Sequence, residues 1–409
     1  MSESMNWISH EEWSKVKLGD IARNISKNEY NPKEKGLDHC IGLDHLDPGS
    51  LKIRRWSPIT PEMSFTRRFS KGHILFGKRR AYQKKVALAD FDGICSSDIL
   101  VIEADRENFV PELLPFIIQD DRFFEYAVGT SSGSLSPRTK WKFLADYEIW
   151  LPSLEKQRCI ATTLWAAEDS IMKGERFVAA VERTKQMLMR ELFSKGIGKN
   201  PQNWKFYSLA ELCLLIADCP HSTPDFVAKG FLVVRNFNVK SCRLDLTNSF
   251  YTTEKEYLLR IQKAKPEEGD ILFSREAPCG EACQVPHNLR LSLGQRMMLI
   301  RADPNIVDSR FLLYSLYSEY VTRNIDATSI GQTVTRMNVA DVKKLKIPRP
   351  PLPEQHQIAA ILTRCDETIA AARANVEATK TLKLKLIKEL FSRKGFSLSP
   401  TLKKERVNE

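Results

Sequence analysis

The sequence lacks any apolar run long enough to cross a membrane. A helical span needs about 18 or more consecutive apolar residues, and none of the 409 residues lies in such a run. The first ten residues also lack the basic segment and the apolar core of an export signal. These absences argue against helical membrane spans and against export, and we expect a cytoplasmic protein.

Paired cysteines are missing as well. The nine cysteines are scattered, and their odd number argues against a complete set of disulfides. Cys213, Cys219 and His221 lie close together in the sequence, but no C-x-x-C pair supports a zinc site. We therefore expect reduced thiols and no bound metal.

Sequence signatures of catalysis are also absent. The chain has no G-x-x-x-x-G-K-[ST] loop for nucleotide phosphates and no Asn-Pro-Pro-aromatic segment of the kind found in amino-methyltransferases. No spacing of Asp, Glu, His or Cys is typical of a metal site. We expect a chain that is not an enzyme and carries no cofactor of its own.

The chain does have an ordinary globular composition with an excess of positive charge. Hydrophobic residues make up 42% and charged residues 28%, and the length allows two or three domains. The 62 basic and 51 acidic residues give a net charge of +11. This excess favours a polyanionic partner such as a nucleic acid, although a soluble protein that is merely basic fits the charge equally well.

A long segment occurs twice in the chain. Residues 154–195 return 198 positions later as residues 352–393, and both copies are apolar at alternating spacings of four and three. This spacing is typical of a coiled-coil seam, the line along which two helices pack. The seam includes Ile160, Leu164, Ile171, Lys185 and Leu188 in the first copy and Ile358, Leu362, Ile369, Lys383 and Leu386 in the second. We predict two like helices of about 42 residues, each roughly 60 Å long, that pack on each other.

A lysine interrupts each seam at the matching position. These residues are Lys185 and Lys383. A polar seam residue commonly fixes the register of two helices at some cost in stability. The alternative is that each lysine extends to water at the edge of the helix pair.

The segments before the two helices repeat as well. Gly72–Phe76 aligns with Gly269–Phe273, and such short apolar runs are typical of strands. Amphipathic stretches at Pro111–Tyr126 and Ser309–Thr322 predict helices. We predict an α+β fold with two similar globular domains, each followed by a long helix. The predicted boundaries are 1–150 for the first domain, 151–197 for the first helix, 198–348 for the second domain, 349–395 for the second helix and 396–409 for a flexible tail.

A cationic loop follows the run that ends at Phe76. It contains Lys78, Arg79, Arg80, Tyr82, Lys84 and Lys85 within eight residues. Lysine and arginine neutralise phosphates, and arginine can pair with guanine edges in the major groove. A solvated charge run is the alternative and the commoner case. The flanking strand signals and the basic composition favour nucleic acid.

Other segments carry side chains suited to DNA, and they differ between the two copies although the strands match. These candidates are Ser134, Ser136, Arg138, Arg235, Asn236, Asn238, Arg275, Gln332, Thr335 and Arg336. Arginine and asparagine have the geometry to pair with guanine and adenine, and small polar residues can contact phosphates. For each segment, a structural turn between strands is the alternative. A common scaffold with different loops is expected of two domains that bind different targets.

The helices resemble those of the specificity subunits of type I restriction–modification enzymes. The Pro-Leu-x-Glu-Gln-like segment at residues 350–359 is the most typical stretch, and residues 151–161 are a looser version of it. A Glu-Leu-Phe-Ser sequence ends both copies, and Gly77–Val86 is similar to a loop of the family's target-recognition domains. The resemblance covers nearly the whole chain.

This resemblance implies a function without catalysis. The two helices would pack antiparallel, and each globular domain would bind one half of an asymmetric, bipartite site on double-stranded DNA. Two adenine methyltransferase subunits would dock on the helices and bring S-adenosylmethionine. Where a restriction subunit exists, motor–nuclease subunits would add ATP- and Mg-dependent cleavage. The half-sites would lie about one helical turn apart, ~34–36 Å from centre to centre.

Two other classes of protein remain as alternatives. A fused restriction–methylation enzyme would need a catalytic core, for which the chain has no spare length. A structural coiled-coil adaptor would explain the helices but not two basic domains with different loops.

Overall fold

The computed structural model describes residues 13–197, 204–329 and 336–391. The chain divides into two compact units. Unit 1 combines the chain up to Gly174 with the chain from Ala374 onward, and unit 2 is the segment Glu175–Arg373 between them. This division runs through both long helices, whereas the boundaries predicted from the sequence keep each helix whole.

Unit 1 is built from short strands and helices that precede the first long helix. Its elements are β1 (Ser14–Lys17), α1 (Leu18–Ile21), β2 (Ala22–Asn24), β3 (His39–Ile41), β4 (Ser57–Pro58), β5 (Arg67–Phe69), β6 (Ile74–Gly77), β7 (Val86–Leu88), β8 (Gly93–Cys95), β9 (Ile99–Ala104), α2 (Leu114–Gln119), α3 (Asp121–Gly129), α4 (Trp141–Leu144), β10 (Glu148–Leu151) and the first half of α5 (Leu154–Lys195). The strands form two four-stranded sheets, with orders β2-β9-β6-β7 and β4-β3-β8-β5, and the antiparallel pair β1-β10.

Unit 2 repeats this plan after the second half of α5. Its elements are β11 (Lys205–Ser208), β12 (Cys213–Asp218), β13 (Phe226–Val227), β14 (Phe231–Val234), β15 (Val239–Lys240), β16 (Arg243–Leu244), β17 (Phe250–Thr252), α6 (Glu254–Arg260), β18 (Ile271–Ser274), β19 (Ala282–Gln284), β20 (Leu291–Leu293), β21 (Met297–Ala302), α7 (Ser309–Leu316), α8 (Glu319–Thr328), α9 (Val339–Lys344), β22 (Lys346–Arg349) and the first half of α10 (Leu352–Phe391). Its sheets have the orders β12-β21-β18-β19 and β13-β17-β14-β20, and β11-β22 and β15-β16 form antiparallel pairs.

The two units share strand connectivity but differ at a sheet edge. The order β12-β21-β18-β19 matches β2-β9-β6-β7, and a parallel pair, β3–β8 or β14–β20, stands in the second sheet of each unit. Unit 1 extends that pair with β5 beside β8, whereas unit 2 extends it with β13 beside β17. The shared apolar strands therefore fix one scaffold, and the connections around it vary.

Each amphipathic stretch predicted as one helix is two helices. Asp120 separates α2 from α3 because its backbone is extended and its carboxylate accepts the N–H of Arg122 as a helix cap. Ser318, with an extended backbone, stands at the same place between α7 and α8. The predicted strands at Ile74–Phe76 and Ile271–Phe273 are the buried strands β6 and β18.

The long helices pack antiparallel within each unit. In unit 1 a side chain at Gly174 would meet Val376, and Glu168 pairs with Lys383, so the residue number falls on one helix as it rises on the other. In unit 2, Glu182 pairs with Arg373, and Lys185 pairs with Asp366, in the same sense. Each unit thus takes the beginning of one long helix and the end of the other into its own hydrophobic core.

Within the described ranges, no helix is long and apolar enough to cross a membrane. The nine cysteines all lie in those ranges, and none forms a disulfide.

Candidate nucleic-acid interface

In unit 1 the cationic loop after β6 contacts the loop that ends at Thr139. The N–H of Arg80 donates to the carbonyl of Pro137 at 2.8 Å, and the N–H of Thr139 donates to that of Lys78 at 3.1 Å. Because β6 and β9 are antiparallel, the end of β6 also lies beside the start of β9, where the N–H of Lys78 donates to the backbone carbonyl of Asp98 at 3.0 Å. Two candidate segments that are more than 40 residues apart thus form one surface.

Asp98 is the electrostatic centre of this surface. Arg138 donates to it through Nε at 2.8 Å, and Arg79 donates through Nη1 at 3.1 Å. Burial of Asp98 opposes its ionisation, but the hydrogen bonds from Arg138 and Arg79 outweigh burial and lower its pKa. Arg79 is also tied through Nη2 to the hydroxyl of Ser136 at 3.0 Å. The arginines are therefore held in fixed positions before any ligand arrives.

Exposed side chains surround this cluster. Tyr82 on the cationic loop and Leu135 on the neighbouring loop are 56% and 90% exposed. Lys84 pairs with Asp121, and Lys85 Nζ donates to the carbonyl of Leu43 at 2.6 Å. Burial, with Arg67 and Arg138 nearby, lowers the pKa of the Lys78 ammonium. The surface thus combines lysines that are held by protein partners with two exposed side chains, Tyr82 and Leu135.

Unit 2 forms the equivalent surface at the end of β18. The N–H of Arg275 donates to the carbonyl of Arg296 at 3.0 Å, and the N–H of Met337 donates to that of Arg275 at 2.9 Å. Arg296 Nε pairs with Glu276 at 2.9 Å, and Arg275 Nε donates to Asp218 at 3.2 Å. The backbone pattern repeats that of unit 1, but the charged side chains on it are different.

An aromatic pad lies beside this surface in unit 2. The guanidinium of Arg235 lies 5.0 Å from the ring centre of Phe237, 5.2 Å from that of Phe250 and 5.8 Å from that of Phe226. Such contacts attract the guanidinium to the ring faces. The amide of Asn236 donates to the carbonyl of Ala277 at 2.7 Å and so braces the loop that follows β18.

These surfaces suit the recognition of a polyanion more than a reaction. Each offers held guanidinium groups at the rim of a rigid sheet, and such groups donate to phosphate oxygens or to guanine edges. The described residues include no group of three or more His, Cys, Asp or Glu placed to hold a metal ion.

The sequence model of the type I restriction modification DNA specificity domain matches this chain twice, at residues 10–177 and at residues 201–378. The chain belongs to that family. It is thus a type I restriction–modification specificity subunit with two DNA-recognition domains, and the family repeat coincides with the repeat of the two units.

Two relatives of this specificity subunit align with it over most of both chains. The putative type I restriction enzyme MjaX specificity subunit of Methanocaldococcus jannaschii is 25% identical over 364 residues, which is 84% of this chain and 80% of that protein. The MjaVIII specificity subunit of the same organism is 22% identical over 419 residues, or 94% and 93% of the two chains. The structure of the type I restriction–modification S subunit from M. genitalium has the same fold, with a TM-score of 0.63 at 14% identity over 93% of this chain and 96% of that one.

Of the sixteen predicted DNA-binding residues of the specificity subunit, thirteen lie at two surfaces, one is buried and two lie outside the described residues. Lys78, Arg79, Arg80, Tyr82, Ser136 and Arg138 lie together in unit 1, with Ser134, Lys84 and Lys85 around them, and Arg235, Asn236, Arg275 and Arg336 lie around the end of β18 in unit 2. Gln332 and Thr335 lie outside the described residues. Whether these side chains touch DNA stays a prediction.

The prediction that Asn238 contacts DNA is wrong, because this residue is 1% exposed and cannot reach a base. Its side-chain oxygen accepts the N–H of Arg235 at 3.1 Å, and its amide donates to the carbonyls of Asp245 and Asn248. His45 in unit 1 accepts the N–H of Gly42 in the same way at 3.0 Å. The turn alternative therefore explains Asn238.

The seam residues lie inside the subunit rather than on a docking surface. Ile160, Leu164, Ile171, Ile358, Leu362, Ile369 and Lys383 are buried, and Leu188 and Leu386 pack half-buried against the cores. The expectation that partner subunits dock on the helices is wrong for these buried seam positions, because a side chain packed in its own core leaves no surface for a partner. The suggestion that each lysine extends to water is wrong for Lys383, which is 3% exposed, whereas Lys185 is half-buried.

Comparison of the two repeat copies did not identify several residues of the two surfaces and of the helix seam. Asp98, Glu276 and Arg296 form the ion pairs of the two surfaces, but they stand in segments that do not match between the copies. Glu168 and Asp366 are also 198 positions apart, and a search for acidic residues at matching positions of the two copies would have found them.

Proposed function

We propose that this specificity subunit reads an asymmetric, bipartite DNA site, one half with each unit, and that it has no catalytic activity of its own. The observation that carries the proposal is that the two units keep the same backbone at the ends of β6 and β18 but place different charged side chains on it. Direct readout depends on the positions of donors and acceptors, so different side chains on one scaffold favour different base sequences.

The basic composition supports a DNA partner. A net charge of +11 provides sequence-independent attraction to phosphates, and this attraction falls as salt rises. The fixed arginines add direction to that attraction, because a held guanidinium presents two donors in one plane.

We further propose that the long helices dock two adenine methyltransferase subunits through their exposed faces, outside the buried seam. Phe177 and Met187 on α5 are 52% and 60% exposed, and Leu382 and Leu384 on α10 are 65% and 49% exposed. Exposed apolar side chains of this size often mark protein interfaces. S-adenosylmethionine, and ATP with Mg for any motor–nuclease subunit, would bind to those partners and not to this chain.

The test is methylation mapping in a host that carries this chain with its methyltransferase and no other adenine methylation system. The expected result is one methylated motif with two fixed segments and an unread gap between them. Replacing the unit 1 loops that contain Arg79 and Arg138 should change one fixed segment and leave the other intact. A single uninterrupted motif, or the loss of both segments together, would contradict the proposal.

Docking of the methyltransferase subunits on the helices is tested separately. Phe177→Asp and Leu382→Asp should each reduce the number of methyltransferase subunits per complex, as counted by native mass spectrometry. Leu135→Asp, at an exposed apolar site away from the helices, serves as the control and should leave the count unchanged. Methylation of DNA by the purified chain alone would instead favour an enzyme.

A further inference from the structure

One arginine in each unit pairs through Nε with a sheltered carboxylate, although the two arginines come from different places on the scaffold. Arg138 Nε donates to Asp98 at 2.8 Å, and Arg296 Nε pairs with Glu276 at 2.9 Å. The two side chains are 48% and 49% exposed, whereas the carboxylates that hold them are 16% and 19% exposed. Each unit therefore has a sheltered carboxylate with a guanidinium facing outward.

The backbone shows that these arginines are not equivalent by alignment. Lys78 bonds to Asp98 as Arg275 bonds to Arg296, so Arg296 occupies the position of Asp98. Arg79 and Glu276 are likewise equivalent, because each forms a backbone bridge, to Arg138 and to Arg336 respectively. Acid and base have thus exchanged positions between the units, and the aligned counterpart of Arg138 is Arg336.

The free edge of each guanidinium is what a base would meet. Within the part of the chain that the structure describes, the Nη groups of Arg138 and Arg296 make no hydrogen bond, and each guanidinium approaches its carboxylate through Nε. Arg79 differs, because both of its Nη groups are used by Asp98 and Ser136. Arg79 therefore acts as a brace, and Arg138 keeps a planar pair of donors for a ligand.

We propose that Arg138 and Arg296 are the guanine-reading residues of the two units, with Asp98 and Glu276 as the positioning residues that hold them. This inference rests on the proposed function and names the base-reading side chains within it. A planar pair of Nη donors matches O6 and N7 of guanine in the major groove, and a side chain already held in place loses less conformational entropy on binding. Because the two arginines start from different positions on one scaffold, the guanine occupies a different place in each half-site.

The experiment maps methylated motifs for Arg138→Lys and Arg296→Lys in the full chain with its methyltransferase. Lysine keeps the positive charge for phosphate but cannot form the two-donor contact. We expect each variant to relax one G·C position in one half-site and to lower methylation of the original motif about 10- to 100-fold. Asp98→Asn and Glu276→Gln should relax the same positions by a smaller factor.

Arg301→Lys is the matched control, because Arg301 pairs with Asp270 at the opposite end of β18 and β21, and it should leave the motif unchanged. Arg336→Lys tests the competing assignment, since Arg336 is the aligned counterpart of Arg138. Relaxation by Arg336→Lys in place of Arg296→Lys would overturn the assignment, as would lysine variants that weaken all sequences evenly, which is the result expected of phosphate contacts. Hydrogen exchange on each variant shows whether its unit is folded, and a folded variant with an unaltered motif also overturns the inference.

Failure of this inference differs from failure of the proposed function. If the unaltered subunit yields no bipartite motif, the function itself is wrong. If it yields one and the lysine variants do not change it, only the assignment of the reading arginines is wrong.

Discussion

The repeated lysines show how one scaffold gives two different environments. In unit 1, Lys383 and Glu168 form an ion pair with side chains 3% and 6% exposed, and Lys383 also donates to Gln119. In unit 2, Lys185 and Asp366 form the equivalent pair, with 16% and 20% exposed. The sequence repeat determines that the ion pair is present in both units, and the surrounding loops determine its exposure to solvent.

A cleft of about 1110 Å³ in unit 2 accounts for this difference. It is lined by the second half of α5, the first half of α10 and the β15–β16 pair, and it includes Lys185 and Asp366. Asp366 there has further partners, with Tyr314 donating to it at 2.8 Å and Arg243 3.8 Å away. The pair in unit 1 depends on fewer groups and has less access to water.

The largest expected effect tests this contrast directly. Glu168→Gln leaves the Lys383 ammonium buried without a counter-charge, which costs about 3–5 kcal/mol in such settings. Asp366→Asn should cost less, about 1–2 kcal/mol, because Lys185 can reach water. Hydrogen-exchange mass spectrometry measures the opening free energy of each unit separately. Equal losses would show that the two environments do not differ energetically. The double variant Glu168→Leu with Lys383→Met removes both charges and should recover most of the stability that Glu168→Gln loses.

A second pair of residues tests the symmetry instead of the difference. Gln157 accepts the N–H of Val110 at 3.1 Å and donates to the carbonyl of Pro152, and Gln355 makes the equivalent bonds to Asp308 and Pro350. Both glutamines are buried.

We expect Gln157→Ala and Gln355→Ala each to cost about 1–3 kcal/mol, because each leaves buried backbone groups unpaired. Since the sites lie in separate units, the effects should be additive within roughly 0.5 kcal/mol in the double variant. Thermal or urea unfolding of the single and double variants measures this. Strong non-additivity would indicate coupling between the two sites.

Substitution of Gly174, the repeat counterpart of Ala372, should change the stability by a smaller amount. A Cβ at Gly174 would lie 2.5 Å from a methyl carbon of Val376. Gly174→Ala gains about 1 kcal/mol of helix propensity but overpacks this contact by about 1–3 kcal/mol, so a net loss of up to about 2 kcal/mol is expected. Adding Val376→Ala should remove the clash. A clear gain from Gly174→Ala alone would mean that Val376 moves freely.

The smallest effect concerns pH and the unit 1 surface. The folded chain lowers the pKa of Asp98 below its usual 3.8 through Arg138 and Arg79, despite the opposing effect of burial. The stability that Asp98 contributes is therefore complete above its unfolded pKa and is lost as pH falls through the folded pKa. The unfolding midpoints of the native chain and of Asp98→Asn should differ at pH 7 and converge in acid below about pH 4. A constant difference would contradict this assignment.

Local patterns in the sequence were enough for the architecture but not for the site. The alternating spacing of four and three predicted both long helices, and apolar runs predicted β6 and β18 close to their bounds. The break in each amphipathic stretch was missed, because the cap at Asp120 or Ser318 ends one helix and begins the next without a proline or glycine. Asn238 was misjudged because only the folded turn shows its side chain to be buried.

The sequence by itself determined the repeat, the seams, the α+β units and the family, because these depend on periodicity and on neighbouring residues. Only the tertiary structure decided which side chains work together. Asp98 and Arg138 are 40 positions apart, and Glu276 and Arg296 are 20 positions apart, so neither pair follows a local pattern. The antiparallel register of β6 with β9 places Arg79 beside Asp98, and that of β18 with β21 places Glu276 beside Arg296, so these two ion pairs are equivalent with exchanged charges. Arg138 is brought to Asp98 by its backbone bridge to Arg79.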